Sequence, residues 1–444
     1  SHMEEDYVED KVEITGEVKS VFNVGGYGDN EKAAANLWAD DDVLDEDYGD
    51  DPDLFPAEKA FYQEIGINVA AMVNDNITFD LAVDTLTNNF TNVEGYTPSG
   101  AEGSDKTLGS PGAMTDLIMD SAVLTISDDV STLKIGDING FHAETYFVDD
   151  EDVEGMEFTT AMNDAEMRMF VTGATDEDNT TGDLKEEDFY GVTYKQNFTD
   201  AYLTGKYYTA RKEGDAVSNF AIEGGMDVSD DMAIGGEVVA NDADKNASMN
   251  ETGQDGDTLI RANADFAATD ALTLNAMVEM VGEDFATTDV HDLEEAADYD
   301  MFVLGGDMVL DENNTVNASY TMVDHNEPED KSTIEVGMEN INGAYTNNAS
   351  IAFTTNDEYT DDSDVTVVKL GTAYTMDAAT LSAELTNKSG DLNELNYLVV
   401  GYDQQIAENV TWNTEAAYLD GDDNEDTGKD AESTHLETAL TVSF

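Results

Sequence analysis

The chain has 444 residues, no cysteine, and 100 acidic against 18 basic residues, which gives a formal net charge of −82 at pH 7. This charge excludes nucleic acid as a partner, because binding phosphates requires a basic surface. The lack of cysteine excludes disulfides and thiolate chemistry. No apolar run is long enough to predict a transmembrane helix. Disorder, which high net charge often indicates, is not favoured, because apolar residues make up 40% and recur regularly.

The many acidic side chains of the folded chain would repel one another at low ionic strength. In about 1 M salt, by contrast, the interaction between exposed charges is screened beyond a separation of about 3 Å. We interpret it as an adaptation to a salty environment, and the composition resembles that of proteins from halophiles. Residues 1–11 are predicted to be a tag remnant (Ser1-His2-Met3) with an N-terminal extension. Residues 12–444 are predicted to form one domain. No signal peptide is visible, so we expect a secretory leader to have been removed.

The first predicted strand, residues 12–24, alternates apolar and polar side chains, and an acidic loop is predicted over residues 25–60. The clearest hairpin follows, with arms at residues 65–73 and 77–83 joined by the turn at residues 74–76. On both arms the carboxylates share one face and the apolar side chains the other. A soluble sandwich and a membrane barrel both show this local pattern, so the long-range arrangement must decide between them.

Short turns and long connections alternate along the rest of the chain. The turns are rich in Asn and Asp, and longer acidic connections lie between them, over residues 87–114, 175–188, 242–257, 285–298 and 420–433. Short turns at one end and long loops at the other are typical of outer-membrane barrels. We therefore predict an all-β fold, a transmembrane antiparallel up-and-down β-barrel of about 16–22 strands with short periplasmic turns and long external loops.

Aromatic residues flank the short turns, as in a membrane-interface girdle: Phe198, Phe266, Tyr402, Trp412 and Phe444. The last strand places Leu436, Leu440, Val442 and Phe444 on one face. This ending resembles the C-terminal strand of bacterial outer-membrane β-barrels, in which a final Phe forms part of the assembly signal. The resemblance implies an outer-membrane location, with lipid, lipopolysaccharide and the outer-membrane assembly machinery as partners.

The few basic residues fall mostly on the polar faces of strands: Lys19, Lys134, Arg168, Lys195, Lys206, Arg261 and Lys369. The connection over residues 139–154 carries a set of aromatic and acidic side chains: Phe141, His142, Glu144, Tyr146, Asp149, Asp150, Glu151 and Asp152. This arrangement resembles the basic ladder of diffusion porins, which faces acidic residues on a constriction loop. Lumen cations that only neutralise lumen carboxylates would give the same pattern, and both roles can hold together.

Catalytic motifs are absent from the sequence. The five histidines show no ligand spacing, and there is no phosphate-binding loop, HExxH motif or nucleophile elbow. We predict no enzyme activity, no metal site and no cofactor beyond divalent cations bound weakly by acidic loops. The acidic stretches at residues 149–152 and 422–426 lack the Gly and terminal Glu of an EF-hand, so solvated acidic surface is the favoured interpretation.

The resemblance to outer-membrane porins implies passive diffusion of ions and small hydrophilic solutes through a water-filled lumen. The excess of carboxylates predicts a preference for cations that fades as salt screens the field. Porins are commonly homotrimers, an assembly that the sequence neither supports nor excludes. Two alternatives stay open. The first is a soluble secreted all-β surface-layer or adhesin-type protein of a halophile. The second is a substrate-specific transporter or outer-membrane enzyme, although no plug domain is predicted ahead of the first strand and no His, Ser or Asp constellation suited to catalysis is found in the sequence.

Overall fold

A computed structural model describes residues 11–27, 59–91, 118–177, 184–212, 215–244, 254–288, 290–294, 297–325, 330–357, 364–390, 394–424 and 429–444. The predicted extension at residues 1–10 and most of the predicted connections at residues 25–60 and 87–114 lie outside this part of the chain. In the described ranges every regular element is a β-strand, and none of them contains a helix long and apolar enough to cross a membrane.

Twenty-two strands follow one another along the chain. They are β1 (Lys11–Tyr27), β2 (Lys59–Asn74), β3 (Ile77–Thr91), β4 (Ile118–Ser127), β5 (Ser131–Phe141), β6 (Glu151–Met162), β7 (Ala165–Glu177), β8 (Leu184–Asn197), β9 (Ala201–Lys212), β10 (Asp215–Ser229), β11 (Met232–Ala243), β12 (Thr258–Thr269), β13 (Leu272–Val281), β14 (Tyr299–Asp311), β15 (Asn314–His325), β16 (Asp330–Asn342), β17 (Tyr345–Asp357), β18 (Val365–Met376), β19 (Ala379–Gly390), β20 (Glu394–Ala407), β21 (Val410–Asn424) and β22 (Lys429–Ser443).

The sheet closes on itself. Each strand pairs antiparallel with the next, and β22 pairs antiparallel with β1, which completes the barrel. At the seam the backbone N–H of Phe444 donates to the carbonyl of Gly16, and that of Gly16 donates to the carbonyl of Phe444, both at 2.9 Å. Closure leaves no unpaired sheet edge, which explains how a chain can end on an apolar strand without inviting aggregation.

The alternation of side chains sorts the barrel into an apolar outside and a polar inside. Large apolar side chains such as Leu304, Ile351 and Leu370 are about half exposed on the outer face. Their sequence neighbours Gly305, Ser350 and Lys369 face the lumen, as the period of two requires. A band of this kind around the outside matches the hydrocarbon core of a membrane, and the polar inner wall matches a wet lumen.

The predicted barrel is confirmed, with a strand number at the upper end of the expected range. Two of the predicted long connections were wrong in extent. Strand β7 continues to Glu177 and β8 begins at Leu184, so most of residues 175–188 is strand. Likewise β21 reaches Asn424 and β22 begins at Lys429 within residues 420–433. These acidic extensions carry no apolar alternation, so the sequence pattern could not separate them from loops.

Candidate functional site

The connection between β5 and β6 folds into the barrel. Phe141 is the last residue of β5 and Glu151 the first of β6, so the loop proper is residues 142–150, which we call the first lumenal loop. Its Tyr146, Phe147 and Val148 are fully buried. The ring of Phe147 packs 5.9 Å from that of Phe189 and 5.3 Å from that of Tyr208 on the inner wall. This aromatic contact holds the loop against β8 and β9.

The described residues of the connection between β13 and β14, which are 282–288, 290–294 and 297–298, pack beside it, and we call them the second lumenal loop. The backbone N–H of Asp149 donates to the carbonyl of Val290 at 3.1 Å, and that of Asp292 donates to the carbonyl of Thr145 at 2.7 Å. The side chain of Asn241 on β11 bonds both backbone groups of Ala286. Sequence reasoning treated this connection as one of the external loops and missed its packing inside the barrel. Phe285 and Leu293, apolar within an acidic stretch, were the available signal.

Lys206 on β9 joins the first lumenal loop to the wall. Its buried ammonium pairs with Glu144 of the loop, with Glu223 at 2.7 Å and with Glu237 at 2.9 Å. Oxygens of these carboxylates lie within 4.8 Å of one another, a spacing that could hold a metal ion, but Lys206 bonds to all three. Burial raises the pKa of Glu144 above its ordinary value, and Lys206 opposes that rise without cancelling it. Burial, reinforced by Glu144 and Glu237, also raises the pKa of Tyr146.

The other predicted basic residues divide between partnered and open positions. Arg261 pairs with Glu279 and donates to the hydroxyl of Thr145 in the loop at 2.6 Å. Arg168 pairs with Glu157 at 2.6 Å, and Lys19 lies 3.6 Å from Glu64. Lys195 lies over the ring of Tyr202, while Lys134 and Lys369 are exposed on the inner wall. The predicted residues therefore surround the lumen. Among the described residues, Arg168 contacts Phe141 at the end of β5, and Lys206 and Arg261 contact the first lumenal loop.

The acidic end of the predicted constriction loop lies where the chain re-enters the wall. His142 contacts the carboxylate of Asp149, and Asp150 adopts a positive φ of 52°. Glu151 and Asp152 belong to β6 and not to the loop, and the carboxylate of Asp152 accepts a hydrogen bond from the backbone N–H of Gly140 at 2.9 Å. Within the predicted loop, Glu144 is therefore the carboxylate seen to pair with a predicted basic residue, Lys206.

A second acidic region lies on the inner wall near the short turns. A cavity of about 670 Å³ is lined by Asp200, Asp227, Asp231, Asp265 and Asp307. On the outer face at the same end, the predicted girdle residues Phe198, Phe266, Trp412 and Phe444 are exposed, and the ring of Tyr402 lies 5.7 Å from that of Trp412. Leu436, Leu440 and Val442 face outward with Phe444.

Comparisons with known proteins agree with this architecture. Residues 247–424 match the Gram-negative porin family. The protein is an outer-membrane β-barrel. Its fold is similar to that of the ferric enterobactin receptor PfeA, with a TM-score of 0.55, 9% identity, and coverage of 98% of this chain and 82% of that chain.

More distant matches of this outer-membrane β-barrel include two further solved structures. OpdL from Pseudomonas aeruginosa has a TM-score of 0.43 and 9% identity, with 98% of each chain covered. OccAB3 from Acinetobacter baumannii has a TM-score of 0.44 and 10% identity, with 98% of this chain and 99% of that chain covered. No curated protein is significantly similar in sequence. The soluble secreted alternative is not favoured by these findings.

Proposed function

We propose that this barrel is a porin through which ions and small hydrophilic solutes diffuse passively. The observation that supports this most is the closed wall with an apolar outside and a polar inside, narrowed on one side by the two lumenal loops. Water in such a lumen can hydrate permeating ions, so no solute needs to cross hydrocarbon. The match of residues 247–424 to the Gram-negative porin family supports the same function.

A preference for cations follows from the charges along this path. At the first lumenal loop three carboxylates share one lysine, which leaves a local excess of negative charge. The cavity near the short turns is lined by several aspartates and, among the residues that the structure describes, by no basic side chain. A cation passing both regions is attracted, whereas an anion is repelled, and added salt screens both effects.

Reconstitution tests the function and the preference separately. Liposomes containing the protein should swell in isotonic solutions of small neutral sugars, because the sugars and water enter through the lumen. In a planar bilayer with a KCl gradient, the reversal potential should show K⁺ preference at low salt and a smaller preference at high salt. A folded, inserted protein that gave no swelling would contradict a diffusion channel, and a potential showing Cl⁻ preference would contradict the charge argument.

A substrate-specific transporter is the second candidate, and the strand number favours it. Barrels of 22 strands are typical of plugged outer-membrane transporters, whereas diffusion porins commonly have 16–18. The swelling assay separates the two, since a plugged transporter does not admit neutral sugars freely.

Several finer expectations remain part of the proposal. We propose that Leu436, Leu440, Val442 and Phe444 act as the assembly signal, supported by their outward position at the barrel seam. The salty environment, contact with lipopolysaccharide, homotrimer formation and weak divalent-cation binding by acidic loops are proposed on composition and resemblance alone. So are the absence of enzyme activity and the division into residues 1–11 and 12–444.

A further inference from the structure

Three hairpins repeat the same polar residues on the inner wall near the short turns. The strands β13, β15 and β17 each begin directly after a short turn, and in each the second residue is Thr and the fourth is Asn. The pairs are Thr273 and Asn275, Thr315 and Asn317, and Thr346 and Asn348. Alternate residues of a strand face the same side, so both members of each pair face the lumen.

The strand register adds the same two neighbours to each asparagine. An acidic residue stands opposite it on the preceding strand, and a glycine stands opposite it on the following strand. The three sets are Asp265, Asn275 and Gly305; Asp307, Asn317 and Gly337; and Glu339, Asn348 and Gly371. Side chains opposite each other on one face of a sheet are close neighbours. We call these three sets the amide belt.

The glycines of the amide belt give the carboxamides room along the wall. A Cβ atom at any of the three glycines would overlap the side-chain oxygen of the asparagine opposite it. Each carboxamide therefore extends over the glycine, where no other side chain covers it. The acids and asparagines of the belt are exposed, and their side chains form no hydrogen bond or ion pair with the described residues.

Each set offers the hydrogen-bonding groups that a sugar hydroxyl needs. A hydroxyl both donates and accepts, a carboxylate accepts, and a carboxamide donates through its nitrogen and accepts through its oxygen. The acid and the asparagine stand on adjacent strands, about 4.8 Å apart, so one sugar ring can contact both. Thr273 and Thr315 add a hydroxyl to two of the sets, since they stand opposite Asp307 and Glu339.

We propose that the amide belt binds neutral polyhydroxylated solutes such as sugars. This inference rests on the proposed channel function and adds a solute class to it. The cavity of about 670 Å³ near the short turns lies along the belt, and Asp265, Thr273, Asn275 and Asp307 line it. Pockets of this volume commonly hold small-molecule ligands.

Attraction of cations does not account for the repeated asparagines. The acids of the belt lie on alternate strands, about 10 Å apart, which is too far for them to coordinate one ion together. Among the described residues, the three carboxylates close enough to do so are Glu144, Glu223 and Glu237, which lie outside the belt. A carboxamide carries no net charge, so its repetition beside each acid adds hydrogen-bonding capacity and no further attraction for cations.

Current recordings on the reconstituted protein in 1 M KCl test the belt with maltotriose as the probe. Maltotriose should reduce the current in a saturable way. Polyethylene glycol of the same hydrodynamic radius, which has almost no hydroxyl groups, should not saturate. Replacing Asn275, Asn317 and Asn348 together by Ala should weaken maltotriose binding about fivefold, the change that loss of one hydrogen bond gives. All three are replaced because a single intact set can still bind the sugar.

The matched control is Asn263→Ala. Asn263 is also an exposed carboxamide on the inner wall that extends over a glycine, Gly235, but its other neighbour is Met277 and not an acid. Its replacement should leave maltotriose binding unchanged. If the combined asparagine variant does not fold, Asp307→Asn with Glu339→Gln keeps the side-chain size. This second variant should also weaken binding about fivefold, because a carboxylate accepts hydrogen bonds about twice as strongly as a neutral group.

The alternative outcomes are distinct. A maltotriose effect that does not saturate, or equal weakening by Asn263→Ala, would overturn the belt while leaving the channel intact. Unchanged maltotriose binding in the combined asparagine variant would overturn it as well. Block by spermidine that weakens in Asp307→Asn with Glu339→Gln would then assign these residues to organic cations.

Failure of the channel function is separable from failure of the belt. If no current is seen, the channel function fails, and saturation-transfer NMR of maltotriose on the protein in a zwitterionic detergent without sugar groups decides the belt. Loss of that signal in the combined asparagine variant, but not in Asn263→Ala, would support the belt. No signal with the unmodified protein would refute it.

Discussion

At the scale of single residues, docking of the first lumenal loop depends on how one ammonium serves three carboxylates. Lys206 is buried, and its partners Glu223 and Glu237 come from the wall while Glu144 comes from the loop. The period of two predicted that Lys206 faces inward. It could not predict the burial, because Glu144 is brought there by a loop 62 positions away in sequence.

Replacing Lys206 tests this arrangement. Lys206→Met leaves three carboxylates close together with no cation, and we expect a loss of about 3–5 kcal/mol in the free energy of unfolding. Lys206→Arg keeps the charge and should cost much less. The measurement is thermal or urea unfolding in detergent, with Lys369→Met as the control, since Lys369 is exposed on the inner wall. Equal destabilisation by Lys206→Met and Lys369→Met would contradict the role of Lys206.

The raised pKa of Glu144 predicts how docking depends on pH. The docked loop holds a proton on Glu144 more readily than the free loop does. The stabilisation of the docked loop by Glu144 is therefore fully present below the ordinary glutamate pKa, and it is lost as pH rises through the raised pKa. Lys206, Glu223 and Glu237 face Glu144, and the rise in its pKa already takes their charges into account.

Amide hydrogen exchange checks this pH dependence. After correction for intrinsic exchange, protection of the Phe147 and Val148 amides should fall as pH rises through the raised pKa, and Glu144→Gln should remove the trend. A trend that persists in Glu144→Gln would assign it to another group.

At the scale of elements, the barrel seam and the second lumenal loop show what a sequence pattern can reach. The alternation of apolar and polar side chains in β22 and β1 was recognisable in the sequence, and the pairing of these two strands followed from closure of the barrel. The docking of the second lumenal loop could not be predicted from the sequence, because it depends on a hydrogen bond between Asn241 and Ala286, which lie 45 positions apart. Local periodicity carries no information about such contacts.

Asn241 should anchor the second lumenal loop. Its amide donates to the carbonyl of Ala286 at 3.0 Å and its side-chain oxygen accepts from the Ala286 N–H at 2.8 Å, at a buried position. Asn241→Ala leaves both backbone groups without these partners, at a cost of about 1–3 kcal/mol. Hydrogen exchange over residues 282–298 should rise accordingly. Asn263→Ala, at an exposed position on β12, should not change it, and unchanged exchange in Asn241→Ala would contradict the anchor.

Gly16 should be required for the seam. A Cβ atom at this position would lie 2.5 Å from the Phe444 ring and 2.9 Å from the carbonyl oxygen of Gly66. Gly16→Ala should therefore displace the final aromatic and lower stability by about 1–3 kcal/mol. Gly205→Ala is the matched control, because it faces outward on β9 with no atom within 4 Å of the added Cβ. The temperature at which the SDS-resistant folded band disappears measures both, and equal values would refute the requirement.

At the scale of the whole molecule, the barrel has two surfaces, an apolar outer face and a polar inner face. Turn chemistry, alternation and segregation of loop lengths predicted the closed barrel and its direction of insertion. They left the strand number as a range, because segments such as residues 116–127 and 395–405 alternate irregularly. The interior was only partly predictable: parity predicted which basic residues face inward, whereas the pairing of Lys206 and Arg261 with particular glutamates required the three-dimensional register.

Selective labelling of two adjacent positions on β17 tests the division between these surfaces most directly. The chain has no cysteine, so Ser350→Cys and Ile351→Cys each introduce a single thiol, the first facing the lumen and the second the outside. In membranes, a charged, membrane-impermeant thiol reagent should modify Cys in Ser350→Cys rapidly and leave Ile351→Cys unmodified. Rapid modification of Ile351→Cys with Ser350→Cys protected would place the apolar side chains in water and contradict the account.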